Sequence, residues 1–157
     1  MFTNIVWATD GSENADHALE YATELARAEN ADLHVAHVVA KIVSGRVAGQ
    51  NARLDEPAIE AKIESQTAAV AQAGIKTTLH RHVGPAAQIG KQLAEVARDS
   101  EADLIIVGTR GHSPLAELML GGVTQQLLHV APCPVLAVPP AAAHRPEASQ
   151  QEAVAAS

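Results

Sequence analysis

Between Gly108 and Val123 the chain reads GTRGHSPLAELMLGGV, with glycines at 108, 111, 121 and 122. An apolar run, DLIIVG, enters this stretch, and a helix-like run, VTQQLLHVA, leaves it. Glycine between a strand and a helix either makes a turn or lets something come close to the backbone. The chemistry that fits is anion binding. If Gly122 caps a helix beginning at Val123 and Thr124, the first amides of that helix have no intrahelical partner. With the helix dipole they form a phosphate site. Gly108 and Gly111 would let a phosphate or a ribose approach the strand end without meeting a side chain. Ser113 as a cap and Pro114 in the first position mark SPLAELML as a short helix, which Gly121 would end in the left-handed conformation. A second reading makes all four glycines turn and cap residues, and spacing alone does not separate the two.

Other groups offer less. The chain contains eight histidines. His80 and His82 share one face of a strand, the spacing of a metal pair, but no Cys, Asp or Glu lies beside them to complete a site. A solvated edge face is the expectation there, and no metal site is assigned. His34 and His37 point to opposite faces, so they do not pair with each other. His129 is expected on the surface of the last helix. The single Cys133 excludes an internal disulfide and reads as a small buried apolar residue. There is no G-x-x-x-x-G-K-[ST] motif, and no general base stands near the phosphate glycines, so fast hydrolysis lacks its usual parts. No catalytic residue is assigned.

These residues need a scaffold, and the pattern supplies one. NIVWATD is a short apolar run closed by Asp-Gly, a buried strand. In SENADHALEYATELARAEN, residues Ala15, Ala18, Leu19, Ala22, Leu25 and Ala26 recur at helical spacing. Ser12 is its N-cap, with Glu13 in the first turn. ADLHVAHVV is a second strand, and KIVSGRVAGQNARL reads as a loop. A helix follows from Glu56 to Ala73, with Ile59, Ile63 and Val70 inward and Gly74 ending it. IKTTLHRHV alternates, with Ile75, Leu79 and Val83 on one face, as an edge strand does. The next helix starts with Pro85 in its first turn and turns Ile89, Leu93 and Val96 inward. ADLIIVG is apolar throughout, hence central. A last helix runs to about Val130, and CPVLAV is the final strand.

Strand and helix alternate throughout, which predicts an α/β fold: a five-stranded parallel sheet with helices on both faces. The edge character of the third strand favours order 3-2-1-4-5 over 2-1-3-4-5, which would bury it. The switch point then lies between strands 1 and 4, where ligands of open parallel sheets bind. Two loops meet there, Thr9 to Ser12 (TDGS) and Gly108 to Gly111 (GTRG).

The 157 residues suit one domain, and 47% hydrophobic content is enough for a core. Its only aromatics are Phe2, Trp7 and Tyr21, so that core is aliphatic and rich in Ala. The net charge of −7 argues against nucleic-acid binding. No stretch approaches the ~20 apolar residues of a membrane span. The N-terminus lacks the basic region of a signal peptide, so a cytoplasmic location is expected. The tail from residue 140 to 157 has one Val and no Leu, Ile or aromatic, and is expected to be mobile or a loosely docked helix.

Four stretches together resemble one family. The spacing Gly108, two residues, Gly111, nine residues, Gly121 is similar to the nucleotide-binding universal stress proteins. So are the WATDGS opening, the HV that closes strand 2, and HVAPCPVLAV near the C-terminus. The resemblance spans about residues 2 to 139, giving one such domain over 1–139 and leaving the tail outside. It implies a Rossmann-like fold and a site for ATP, ADP or AMP, with Mg where the phosphates call for it. Ala8, Thr9, Asp10, Val38, Gly108, Arg110, Gly111, His112, Gly121, Gly122, Val123 and Thr124 would line that site. Asp10 matches the residue that binds the ribose hydroxyls, and it can also start the Asp-Gly turn. Val38 matches the backbone contact to the adenine edge. Gly121, Gly122 and Val123 match the phosphate-binding amides.

The family carries Ser or Thr where this chain has Gly122. A hydroxyl bonded to a charged group is worth about 1.5–3 kcal/mol, or one to two decades of affinity. Its loss bears on ATP more than on AMP or ADP, and Thr124, Arg110 and His112 are near enough in sequence to replace it. The implied function is a cytoplasmic stress-response regulator that binds an adenine nucleotide. The alternatives are a dimeric partner-binding module with an empty pocket and a slow ATPase. The resemblance also implies a homodimer, and the uncharged last strand, Val135, Leu136, Ala137 and Val138, is a bare edge that invites pairing. A tail folded over that edge is the competing arrangement.

Overall fold

The computed structural model describes residues 1–41, 56–110 and 120–141. The elements are β1 (Asn4–Ala8), α1 (Glu13–Glu29), β2 (Asp32–Lys41), α2 (Glu56–Gln72), β3 (Thr77–Pro85), α3 (Ile89–Asp99), β4 (Leu104–Gly108), α4 (Gly122–Val130) and β5 (Val135–Val138). A short 3-10 turn, Ala86–Gln88, leads into α3. The five strands form one sheet in the order β3-β2-β1-β4-β5, and every pairing is parallel. The edge place expected for the third strand is the one observed. No helix among the described residues is long and apolar enough to cross a membrane.

Alternation along each strand splits the core in two. Ile5, Trp7, Leu33, Val35, Leu104 and Ile106 face α1 and α2. Val6, Ala8, Ala36, Val38, Ile105 and Val107 face α3 and α4. Both faces of the central strands are therefore apolar, as a sheet covered on two sides requires. On α1 the inward stripe is Ala15, Ala18, Ala22 and Ala26, all buried. Small side chains at helical spacing bring this helix close to the sheet. Trp7 fills the remaining volume: it is fully buried, and its indole nitrogen donates to the Ala15 carbonyl at 3.0 Å. Truncating such a side chain to Ala costs about 3–5 kcal/mol.

Several local expectations shift. Pro85 closes β3 instead of opening the next helix, which begins at Ile89. Val83 is more exposed than half, while Leu79 packs partly buried against the core and Ile75, just before β3, is buried. Ile59 is partly rather than fully buried. Cys133 is half-buried, not buried; its thiol is pushed up from the ordinary value, first by burial and then by Asp103. Gly121 is not left-handed. At φ −58° and ψ 147° it is the N-cap of α4, which starts at Gly122, one residue earlier than expected. The 41–54 loop expectation, save Lys41 at the end of β2, and the tail beyond Ala141 fall outside the described residues. So does the short helix expected over 113–120, save Leu120, which is not helical.

Candidate functional site

The strand order reverses between β1 and β4, and a cavity of about 280 Å³ opens at their carboxyl ends. Its walls come from six elements and the loops after β1 and β4. Ala8 ends β1 and Thr9 and Asp10 follow it, Val38 lies on β2, and Val107 and Gly108 end β4 with Arg110 in the loop beyond. Gly121, Gly122, Val123 and Thr124 open α4, while Ile89 and Leu93 close the side toward α3. Ten of the expected site residues are among these. Gly111 and His112 lie outside the described residues. Ala15, Val107, Ile89 and Leu93 were read only as core positions, yet they supply much of the apolar wall.

The β1–α1 loop is held residue by residue. The Thr9 amide continues the ladder to Ala36 O at 3.0 Å, and its hydroxyl accepts from the Gly11 amide at 3.1 Å. Asp10 Oδ1 accepts from the Ser12 amide at 2.9 Å, so the carboxylate does start the turn. Gly11 completes it at φ +79°, a conformation that side chains rarely adopt. Ser12 then caps α1, its hydroxyl accepting from Ala15 N at 3.3 Å. Asp10 also lines the cavity.

The glycines divide by role. A Cβ on Gly108 would fall 2.5 Å from the Asn14 side-chain nitrogen and 3.1 Å from the Asn14 carbonyl oxygen. That glycine admits α1, whose Asn14 donates to Arg110 O at 3.0 Å, so its freedom serves packing and not only a ligand. Gly121 has the Thr109 carbonyl 3.3 Å from its Cβ position and donates its amide to that oxygen at 2.8 Å. Gly122 has nothing within 4 Å. Gly122 and Val123 open α4, where main-chain amides lack intrahelical acceptors. Thr124 is buried, and its hydroxyl donates to Gly108 O at 2.9 Å. Its one proton is committed there. Thr124 therefore ties α4 to the end of β4, and does not stand in for the hydroxyl that Gly122 lacks.

The histidine pairing could not be seen from one strand at a time. His34 Nδ1 lies 3.0 Å from His80 Nε2 across β2 and β3, and His34 Nε2 lies 3.3 Å from Asn4 Oδ1. Burial, and then each ring's imidazole neighbour, lowers both rings from the ordinary value; His34 feels His80, and His80 feels His82. His82 and His129 are exposed. Among the described residues no group of three or more His, Cys, Asp or Glu is placed to hold a metal. His37 is buried beneath the β1–α1 loop, bonded to Thr9 and Glu56. A second hollow of about 500 Å³, more open to solvent, lies across that loop between Glu13, His17, Arg110 and Pro140.

Comparison with known proteins agrees with this geometry. The family model described as "Universal stress protein family" matches residues 1–139. The universal stress protein YxiE of Bacillus subtilis is 32% identical over 151 residues, covering 88% of this chain and 99% of that protein. Among solved structures, the hypothetical protein MJ0577 superposes with a TM-score of 0.72 at 23% identity, over 91% of this chain and 99% of that one. A universal stress protein solved in complex with cAMP superposes at 0.64 with 25% identity, over 89% and 98%. By the family match, the sequence identity and the shared fold together, this chain belongs to the universal stress protein family.

Proposed function

We propose that this protein binds an adenine nucleotide in the cavity between β1 and β4 and works as a nucleotide-binding regulator in the stress response. The observation that carries the proposal is the convergence on one cavity of an acidic loop residue, an apolar wall and a helix N-terminus. That is the make-up of a mononucleotide site. In this reading the base lies against Val38 and the apolar wall. Asp10 takes the ribose hydroxyls. The amides at Gly122 and Val123 take the phosphates, with Arg110 at the rim; the Gly121 amide, expected beside them, is held by the Thr109 carbonyl. A related protein was solved with cAMP, an adenine ligand with one phosphate. AMP and ADP suit this chain more directly than ATP with Mg, since Gly122 has no hydroxyl and the Thr124 proton is committed. A cytoplasmic location and a homodimer through Val135 to Val138 belong to the same reading. Binding isotherms with AMP, ADP and ATP on nucleotide-stripped protein test it, and a turnover assay then separates a regulator from a slow ATPase.

A further inference from the structure

His37 is only 4% exposed, yet both of its ring nitrogens are engaged. Nδ1 lies 2.9 Å from the Thr9 carbonyl oxygen, and Nε2 lies 2.8 Å from Glu56 Oε1. A carbonyl oxygen can only accept, so Nδ1 carries a proton and donates to Thr9. Nε2 and the Glu56 carboxyl share the second contact, which fixes the ring from the α2 side. The acceptor on Thr9 belongs to the peptide group whose nitrogen is that of Asp10. The other Thr9 peptide is held too, its amide donating to Ala36 O. On the far side of Asp10, Lys62 of α2 donates to the Gly11 carbonyl at 2.9 Å, and a side chain on Gly11 would run into Ile59. The backbone on both sides of Asp10 is therefore clamped from α2, once through His37 and Glu56 and once through Lys62.

We infer that His37, braced by Glu56, is a positioning residue that aims the Asp10 carboxylate at the ribose hydroxyls of the bound nucleotide. The inference rests on the adenine-nucleotide reading of the cavity. Its physical basis is preorganisation: a peptide plane held by a buried donor fixes the φ of the next residue, and with it the direction of that side chain. Without the donor, the Thr9–Asp10 peptide loses its anchor on β2, which loosens the direction in which Asp10 leaves the strand even while its Oδ1 accepts from the Ser12 amide. Other charged groups on this side of the sheet have their own partners. Arg81, opposite His37 on β3, pairs with Glu64, and Lys62 pairs with Asp16.

The test uses two ligands that differ only at the ribose, AMP and 2′,3′-dideoxy-AMP, titrated into the full chain by calorimetry. In His37→Gln the amide sits where Nε2 was and leaves Thr9 without its donor. AMP affinity should fall about tenfold while dideoxy-AMP affinity stays within about twofold of wild type. In His37→Asn the amide occupies the Nδ1 position, and AMP affinity should return to within about threefold of wild type. Glu56→Ala, at a half-buried position beside the ring, should give a smaller loss of the same ribose-dependent kind. Equal losses for both nucleotides would show general damage and overturn the inference. Unchanged AMP affinity in both His37→Gln and Glu56→Ala would overturn it too. A wild-type chain that binds neither nucleotide would instead overturn the reading of the cavity, and this inference with it.

Discussion

A methyl group added at Gly108 would meet Asn14 at 2.5 Å, whereas one added at Gly122 would meet nothing within 4 Å. Gly108→Ala is therefore expected to destabilise the fold by about 1–3 kcal/mol, since the Asn14 carbonyl belongs to a helix backbone that cannot step aside. Urea unfolding checks this. Unchanged stability with lost nucleotide binding would show that the glycine serves only a ligand. Gly122→Ser has room, and its hydroxyl would stand in the first turn of α4 beside the phosphate amides. ATP affinity should rise about tenfold, and more than AMP affinity. An equal gain for both, measured by calorimetry, would place the hydroxyl away from the outer phosphates. The sequence showed which residues converge, because loop glycines and an Asp-Gly turn are local signals. It did not show what each glycine touches. Asn14 lies 94 residues before Gly108, and no periodicity links them.

The elements were legible where burial is one-sided or complete. The alternation of β3 placed it at the edge, and the apolar runs of β1 and β4 placed them at the centre. The ends were less legible: Pro85 extends β3, because proline is tolerated on the outer side of an edge strand. The His34–His80 pair depends on the register of β2 against β3, which the sequence does not state. It has a consequence for acid stability. Burial lowers both rings in the folded state, so the unfolded chain takes up protons first as pH falls below the ordinary imidazole value of about 6.5. Stability should be undiminished above that value and fall progressively below it. Urea midpoints at pH 7.5 and 5.5 should differ more for wild type than for His80→Asn. An identical pH response in the two proteins would mean that the pair does not couple to folding.

For the whole molecule, β5 is a terminal strand, and its Val135, Leu136 and Ala137 are half-buried and uncharged. Pairing of two β5 edges about a two-fold axis would cover them. Sedimentation is expected to give a dimer for the full chain and for a version ending at Pro140, and Leu136→Asp should move both toward monomer. A full chain that is monomeric and dimerises only without its tail would mean the tail covers this edge. Assembly of this kind is the least legible level, because it depends on a surface left over after the fold is complete. The central claim concerns the cavity between β1 and β4, and one calorimetric titration tests it most directly: AMP into nucleotide-stripped wild type and into Asp10→Ala. The expected result is saturable, one-site binding to wild type, weakened about tenfold or more in Asp10→Ala, which stays folded at the temperature of the titration. Absence of binding to wild type at millimolar AMP, ADP and ATP, or equal binding by the two proteins, would contradict it.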